Sequence, residues 1–134
     1  MRPDAVVVDT DVVSFLFKND SRAQLYLPLL RRRKLLVSFM TEAELEQWIL
    51  SAKWGADRIR RFQEFMTGFA SVPSSRDMIL KWAEVMVAAR ANGRRIEAAD
   101  AWIAATALLY GAALVTHNPK DYVGVPNLRV LSCA

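Results

Sequence analysis

The chain has 134 residues, of which 53% are hydrophobic and 24% are charged. This length and composition predict a single folded domain over residues 1–134 rather than a disordered tail. The 18 Lys and Arg exceed the 14 Asp and Glu and give a formal net charge of +4, which is compatible with a polyanionic partner but too mild to establish one. The one cysteine, Cys133, excludes an intramolecular disulfide, and the one histidine, His117, argues against a zinc site. Any bound metal would therefore have carboxylate oxygens as ligands.

The sequence also argues against an export signal or a membrane anchor. Asp9 and Asp11 interrupt the first apolar run, which the core of a signal peptide does not tolerate. The apolar run that begins at Ala101 ends at Val115, short of the roughly 20 residues that a membrane-spanning helix needs. We therefore expect a soluble, cytoplasmic protein with no membrane partner.

Short apolar runs alternate along the chain with longer amphipathic or apolar segments. In chain order the pattern predicts a strand over 5–8, helices over 10–17 and 22–32, a strand over 35–38, helices over 41–53 and 57–66, a strand over 70–72, helices over 76–91 and 96–110, and strands over 113–116 and 128–131. Pro28 should kink or shorten the second helix. Strands of this kind separated by helices predict an α/β fold, with a parallel sheet and helices on both faces.

Two acidic residues fall at points where a predicted strand gives way to a helix. Asp9 follows the first strand directly and could simply cap the next helix. Asp11 could share a site with Asp9 or simply favour the positive end of the same helix. Glu44 lies three residues after Thr41, a spacing that by itself favours a capping box in which Glu44 bonds the backbone of Thr41. Ligand sites in parallel sheets form at the carboxyl ends of strands, so both residues are also site candidates.

Two further acidic residues are harder to explain locally. Asp100 lies in a helix that is apolar on most faces, where an unpaired carboxylate is costly and needs a cation, a metal or several donors. An ion pair with Arg94 or Arg95 is the simplest structural explanation. Asp121 follows the fourth strand, in a segment that taken alone is an ordinary turn.

The ordered set of these motifs resembles the PIN-domain nucleases, and within them the VapC-type toxins of toxin–antitoxin pairs. The matching runs are Val-Val-Val-Asp9-Thr-Asp, Ser38-x-x-Thr41-x-x-Glu44-Leu45, Asp100-Ala-x-Ile103-Ala-Ala and Leu114-Val-Thr116-x-Asn118-x-x-Asp121-Tyr122. No single run is specific, but together they extend over nearly the whole chain. Asp11 departs from the pattern, since Asn, Ser or Thr is more usual there.

The resemblance implies a three-layer α/β/α domain with a central parallel sheet of about five short strands. It implies an endoribonuclease that depends on Mg²⁺ or Mn²⁺, forms a homodimer and is blocked by a cognate antitoxin. The family's acidic residues carry over as Asp9, Glu44, Asp100 and Asp121, with Thr116 and Asn118 as polar neighbours. We hypothesise that Asp9, Asp100 and Asp121 hold the metal and that Glu44 orients or deprotonates the attacking water, while Thr116 and Asn118 position a phosphate or a carboxylate.

Clusters of basic residues suggest contacts with RNA phosphates. The candidates are Arg31, Arg32 and Arg33 after the second helix, and Arg94 and Arg95 before the helix that carries Asp100. The alternative is that these are solvated cations at helix C-termini, where positive charge is favourable. Phosphate contacts would make affinity fall steeply with salt.

Two other functions remain open at the level of sequence. A strand that ends in Asp9-Thr-Asp11 also fits a haloacid-dehalogenase-like phosphatase, with Asp9 as the nucleophile and Asp11 as the general acid. That mechanism has no use for Asp100. The second alternative is a degenerate PIN-like module that keeps the fold only to bind a partner. The complete set of acidic residues argues against this alternative.

Overall fold

The computed structural model describes residues 4–134 of the chain. Within that range it forms five strands and six α-helices. The strands are β1 (Ala5–Val8), β2 (Lys34–Ser38), β3 (Ala70–Val72), β4 (Ala113–Val115) and β5 (Val130–Leu131). The helices are α1 (Thr10–Lys18), α2 (Ala23–Leu30), α3 (Phe39–Ser51), α4 (Ala56–Met66), α5 (Arg76–Ala91) and α6 (Ala98–Leu109), with a 3₁₀ turn at Pro119–Tyr122.

The five strands form one parallel sheet in the order β3-β2-β1-β4-β5. The central strand β1 pairs Val6 with Leu35 of β2 and Val7 with Leu114 of β4. All four residues of β1 are buried, because helices cover both faces of a parallel sheet. The prediction of a three-layer α/β fold is confirmed.

Alternate residues of the strands contribute to two separate cores. Val7, Leu36 and Leu114 pack on one face with residues of α5 and α6, whereas Val6 and Val8 pack on the other face with residues of α1 to α4. This alternation follows from the pleat of a strand, in which successive side chains point to opposite faces. In the part of the chain that the structure describes, no helix is long and apolar enough to cross a membrane.

The predicted elements are all present, but some boundaries differ. α3 begins at Phe39, with the Ser38 side chain accepting a hydrogen bond from the backbone N–H of Met40 at 3.0 Å. Thr41 therefore lies inside the helix, and the predicted capping box between Thr41 and Glu44 is wrong. α2 ends at Leu30 because Arg31 is extended and Arg32 has a left-handed φ of 62°.

The topology divides the polar residues between the two ends of the sheet. Asp9 and Thr116 directly follow β1 and β4, so they lie at the carboxyl edge. Arg31, Arg32 and Arg33 directly precede β2, whose first residue Lys34 pairs with the first residue of β1. These three arginines therefore lie at the amino edge, across the length of the sheet from Asp9.

A close backbone approach joins the segment after the 3₁₀ turn to the loop before α6. The Asn92 amide donates to the Gly124 carbonyl at 3.0 Å, and a Cβ added to Gly124 would lie 2.7 Å from the Cβ of Arg94 and closer still to its carbonyl oxygen. We expect Gly124→Ala to lower the free energy of unfolding by about 1–3 kcal/mol, as overpacking does. Gly68→Ala, whose Cβ would meet only the Phe65 carbonyl at 3.6 Å, is the matched control for urea denaturation. Equal stability of the two variants would contradict this assignment.

Candidate active site

Asp9 is the most buried of the predicted acidic site residues, with 7% of its surface exposed. It is the N-cap of α1, and its Oδ1 accepts a hydrogen bond from the backbone N–H of Thr10 at 2.8 Å. Its Oδ2 accepts from the Thr116 hydroxyl at 2.8 Å and from the Tyr122 hydroxyl at 2.9 Å. Capping is therefore one role of Asp9, but two further donors converge on it from distant parts of the chain.

The surroundings of Asp9 disfavour its charged form. Burial, and then the negative charge of Asp11, raise the pKa of Asp9 to about 6, although the hydrogen bonds from Thr116, Tyr122 and Thr10 act in the opposite direction. The charged form of a carboxyl group whose pKa is raised in this way is stabilised when a cation approaches it.

Asp100 lies in the first turn of α6, near Asp9. The Tyr122 hydroxyl is 3.5 Å from Asp100 Oδ1 and so lies between the two carboxylates. Burial raises the pKa of Asp100 to about 6, helped by the charges of Asp9, Asp121 and Glu44. The charges of the other three thus reach Asp100, and the four residues Asp9, Glu44, Asp100 and Asp121 are called the acidic cluster below.

Glu44 is held by a residue of another helix. Its Oε1 accepts a hydrogen bond from the Thr10 hydroxyl at 2.6 Å, and that hydroxyl also lies 3.0 Å from Thr41 Oγ1. Thr10 directly follows Asp9, so the bond ties α3 to the start of α1. Glu44 therefore points toward the carboxyl edge of the sheet rather than back to its own helix terminus.

The side chains of Thr116 and Asn118 hold carboxylates. Thr116 bonds Asp9, and the Asn118 amide donates to Asp11 Oδ2 at 2.8 Å. The same oxygen accepts from the backbone N–H of His117 at 3.1 Å, and Asp11 Oδ1 accepts from the N–H of Val12 at 2.7 Å. Asp11 thus anchors the segment after β4, and its engaged oxygens leave it poorly placed as the general acid of a phosphatase.

Within the described range of the chain, no basic side chain forms an ion pair with the acidic cluster. Among residues 4–134, ion pairs join Arg22 to Asp20, Arg60 to Asp57 and Lys81 to Glu84, and none involves the cluster. The ion pair between Asp100 and Arg94 or Arg95 that the sequence suggested is absent from this described range. Several carboxylates kept together without a protein cation favour an external one.

The donor set of the cluster fits a hard divalent cation. Within residues 4–134, no three acidic, histidine or cysteine side chains form a closed ligand cluster. Mg²⁺ does not require one, because it keeps several waters and binds proteins through one or two carboxylates. Asp9 and Asp100 on either side of one hydroxyl provide oxygen ligands of that kind.

The two groups of arginines are placed differently. Arg94 and Arg95 are exposed in the loop that leads into α6, and Arg94 packs on Gly124, three residues after Asp121. This group therefore lies in the segment just before the helix that carries Asp100. The structure does not bring Arg31, Arg32 and Arg33 to the site, since they precede β2 at the opposite edge of the sheet.

Two residues that bear on the site were not among the site residues predicted from the sequence. Thr10 orients Glu44, and Tyr122 bonds Asp9 while lying beside Asp100. Each sits next to a predicted site residue in the chain, Thr10 after Asp9 and Tyr122 after Asp121. Their position next to predicted site residues was the one signal that the sequence offered. Their hydrogen-bond partners could not be foreseen, because Glu44 is 34 residues from Thr10 and Asp9 is 113 residues from Tyr122.

The family model for the PIN domain matches residues 6–123 of the chain. The chain belongs to the PIN-domain family. Among its curated relatives, Ribonuclease VapC1 of Haemophilus influenzae is 31% identical over 129 residues, which cover 92% of this chain and 93% of the relative. Ribonuclease VapC4 of Mycobacterium tuberculosis is 31% identical over 98 residues, 72% of this chain and 75% of that protein. The resemblance to VapC-type PIN domains is confirmed.

Solved structures of PIN-domain proteins agree with this placement. VapBC-1 from nontypeable Haemophilus influenzae has a TM-score of 0.80 at 26% identity, covering 96% of this chain and 97% of that chain. VapBC2 from Rickettsia felis, solved with a promoter DNA fragment, has a TM-score of 0.83 at 22% identity, covering 96% of this chain and 98% of that chain, and supports the fold alone. The PIN family does not favour the phosphatase alternative.

Proposed function

We propose that this chain is an endoribonuclease that depends on Mg²⁺ or Mn²⁺, and that it is the toxin of a VapBC-type toxin–antitoxin pair. The observation that carries the proposal is the acidic cluster itself, in which the buried Asp9 and the half-buried Glu44 and Asp100 lie with the exposed Asp121. No ion pair among residues 4–134 involves these carboxylates. The names of the VapC relatives as ribonucleases support RNA as the substrate.

In this proposal Asp9, Asp100 and Asp121 would hold the cation or its bound waters. When bound, the cation would offset the charge of the phosphodiester and make a water molecule more acidic. Glu44, oriented by the Thr10 hydroxyl at 2.6 Å, accepts a proton from the attacking water. Thr116 keeps the Asp9 side chain in place through its 2.8 Å hydrogen bond.

Asp11 and Asn118 hold two segments of the site together. Their hydrogen bond of 2.8 Å fixes the segment after β4 against the start of α1. The fixed segment carries Thr116, whose hydroxyl oxygen also accepts from the Asn118 backbone N–H at 3.1 Å. The roles of Thr116 and Asn118 are thus to position carboxylates rather than to contact phosphate directly.

A cleavage assay tests the proposed activity. Purified protein is incubated with total RNA and with tRNA in Mg²⁺, in Mn²⁺ and in EDTA, and Glu44→Gln purified in parallel controls for contaminating nucleases. We expect discrete fragments from the wild-type protein in either metal and none in EDTA or from the variant. Metal binding without cleavage of any RNA would instead favour a degenerate module that serves only to bind a partner.

The placement of the arginines predicts which group contacts RNA. On the inactive Asp100→Asn background, replacing Arg94 and Arg95 by alanine should weaken RNA binding. The slope of log affinity against log salt concentration should also become shallower, by the equivalent of about one to two phosphate contacts. The matched control replaces Arg31 and Arg32, which are equally exposed but lie at the amino edge. Fluorescence anisotropy over a salt series measures both. Equal losses in the two double variants would contradict a site bounded by Arg94 and Arg95.

We assign two partners to the protein besides RNA. Its neighbours of known structure include VapBC complexes, such as that from Haemophilus influenzae, which supports a cognate antitoxin. A second copy of the chain is the other, as the family resemblance implies. Light scattering of the isolated chain is expected to give a dimer mass, and co-expression with an antitoxin encoded beside it should suppress cleavage.

A further inference from the structure

One hydroxyl group is placed where it touches both carboxylates at the centre of the site. Tyr122 is 2% exposed, and its hydroxyl donates to Asp9 Oδ2 at 2.9 Å while lying 3.5 Å from Asp100 Oδ1. A tyrosine hydroxyl has one hydrogen to donate, and here the nearer acceptor is Asp9 Oδ2.

The two oxygens of Asp9 are not equivalent. Oδ2 accepts from both Thr116 and Tyr122, which uses the two lone pairs that a carboxylate oxygen offers. Among residues 4–134, the one donor to Oδ1 is the backbone N–H of Thr10, which leaves this oxygen one lone pair. The oxygen left to bind an incoming cation is therefore Oδ1.

We propose that Tyr122 is a positioning residue for the metal ligand Asp9, and that its hydroxyl selects Oδ1 as the ligand atom. A phenylalanine at this position could fill the same space in the core. It would leave Oδ2 with the Thr116 hydroxyl as its one side-chain donor, and nothing would separate Asp9 from Asp100. The side chain of Asp9 could then rotate, and the two negative charges would repel one another directly.

The inference rests on the proposed metal-dependent function and deepens it. Partners that orient a metal ligand without touching the metal typically contribute about 10- to 100-fold to metal affinity. A loss of that size on removing one hydroxyl is the signature of positioning. A merely structural contact would lower stability and leave the affinity of the folded protein unchanged.

Tyr122→Phe tests the inference through Mn²⁺ affinity, measured by isothermal titration calorimetry on the full chain. We expect Mn²⁺ to bind about 10- to 100-fold more weakly than to the wild type, and raised Mn²⁺ concentrations to restore cleavage. Tyr26→Phe is the matched control, since Tyr26 is also fully buried and its hydroxyl bonds the Thr116 carbonyl, His117 and the Cys133 backbone. Its Mn²⁺ affinity should equal that of the wild type.

Thr116→Val is the second variant, because it removes the other hydroxyl donor to Asp9 Oδ2. We expect Thr116→Val to weaken Mn²⁺ binding as well. The fold-loss of Mn²⁺ affinity in the double variant should be smaller than the product of the two single fold-losses, because both hydroxyls hold the same Asp9 rotamer. Wild-type Mn²⁺ affinity in folded Tyr122→Phe would overturn the inference and leave the proposed function standing. Absence of Mn²⁺ binding by the wild-type protein would overturn the proposed function and the inference together.

Discussion

Replacing Asp9 by asparagine is expected to lower the rate of RNA cleavage in Mg²⁺ by at least about 100-fold. Loss of a residue that merely orients a metal ligand can already lower metal affinity or activity by about that factor. The substitution keeps the shape of the side chain and one oxygen that can accept from Thr116 and Tyr122. It removes the negative charge that would attract the cation. Initial rates on a defined RNA fragment, with metal in excess, measure the effect.

The same variant should retain most of the wild-type stability in the absence of metal, although its amide nitrogen cannot accept the hydrogen bond that Asp9 Oδ1 accepts from the Thr10 N–H. The charged form of Asp9 is disfavoured by burial and by Asp11, so a neutral amide relieves that cost near neutral pH. Loss of activity together with largely retained stability is the pattern of a residue kept for chemistry. Urea denaturation at about pH 7.5 measures the second half of this expectation.

Asp57→Asn is the matched control for Asp9→Asn. Asp57 is an acidic residue in the first turn of α4, and its side chain is 82% exposed and paired with Arg60 at 2.6 Å. Exposed pairs of this kind contribute little to stability, so the control should cleave RNA at the wild-type rate. Wild-type cleavage by folded Asp9→Asn in Mg²⁺ would rule out the metal role of Asp9.

Without metal, the free energy of unfolding is expected to fall as the pH rises from about 5 to about 7.5. Asp9 has a pKa of about 6 in the folded protein against 3.8 for an unperturbed aspartate, so the folded state binds its proton more tightly than the unfolded state. The stabilisation is complete below the lower value and is lost as the pH rises through the upper one. Asp9 alone should account for a loss of roughly 1–2 kcal/mol over this interval.

Asp100 contributes in the same direction, since its pKa is also raised to about 6. Its half-exposed position makes the contribution smaller, because solvent screens the charges around it. Adding Mg²⁺ should reverse the trend, since the cation binds the deprotonated carboxylates of the folded state and stabilises it by mass action. The stabilisation by Mg²⁺ should therefore be larger at pH 7.5 than at pH 5.

Urea denaturation of the wild type and of Asp9→Asn at both pH values measures these effects. Other groups titrate in this range or below it, including Asp20, whose pKa the Arg22 side chain lowers. The contributions of groups distant from Asp9 are common to both proteins and cancel in the difference. That difference reports Asp9 together with the part of the Asp100 shift that the charge of Asp9 causes. A wild type whose stability changes with pH in the same way as that of Asp9→Asn would contradict the raised pKa of Asp9.

The strands and helices could be predicted because each depends on local sequence. The apolar run of β1 and the stop at Gly111 after α6 are signals of a few neighbouring residues. The start of α3 was misjudged because Ser38 ends β2 and caps the helix at once, leaving no loop between them. With two caps of similar chemistry in the sequence, spacing alone could not show that Ser38 rather than Thr41 begins the helix.

The site was only partly accessible from the sequence. Its acidic residues were gathered by resemblance to the PIN family, since nothing in their local spacing shows that Asp9 and Asp100 meet. The hydroxyl between them belongs to Tyr122, which lies 113 residues from Asp9 and 22 from Asp100. Such contacts arise from the order of the strands and require the fold. The arginines were grouped by charge alone, whereas the fold places one group before β2, at the amino edge, and the other just before the helix that carries Asp100.

The chemistry of the RNA ends tests the central claim most directly. Cleavage in ¹⁸O-labelled water with Mg²⁺ is followed by mass spectrometry of the fragments at early times. Attack by water, with Glu44 as the proton acceptor, predicts a linear terminal phosphate that carries one labelled oxygen from the first turnover. Fragments that end in an unlabelled 2′,3′-cyclic phosphate would show that the RNA's own hydroxyl is the nucleophile, and would contradict the mechanism assigned to the acidic cluster.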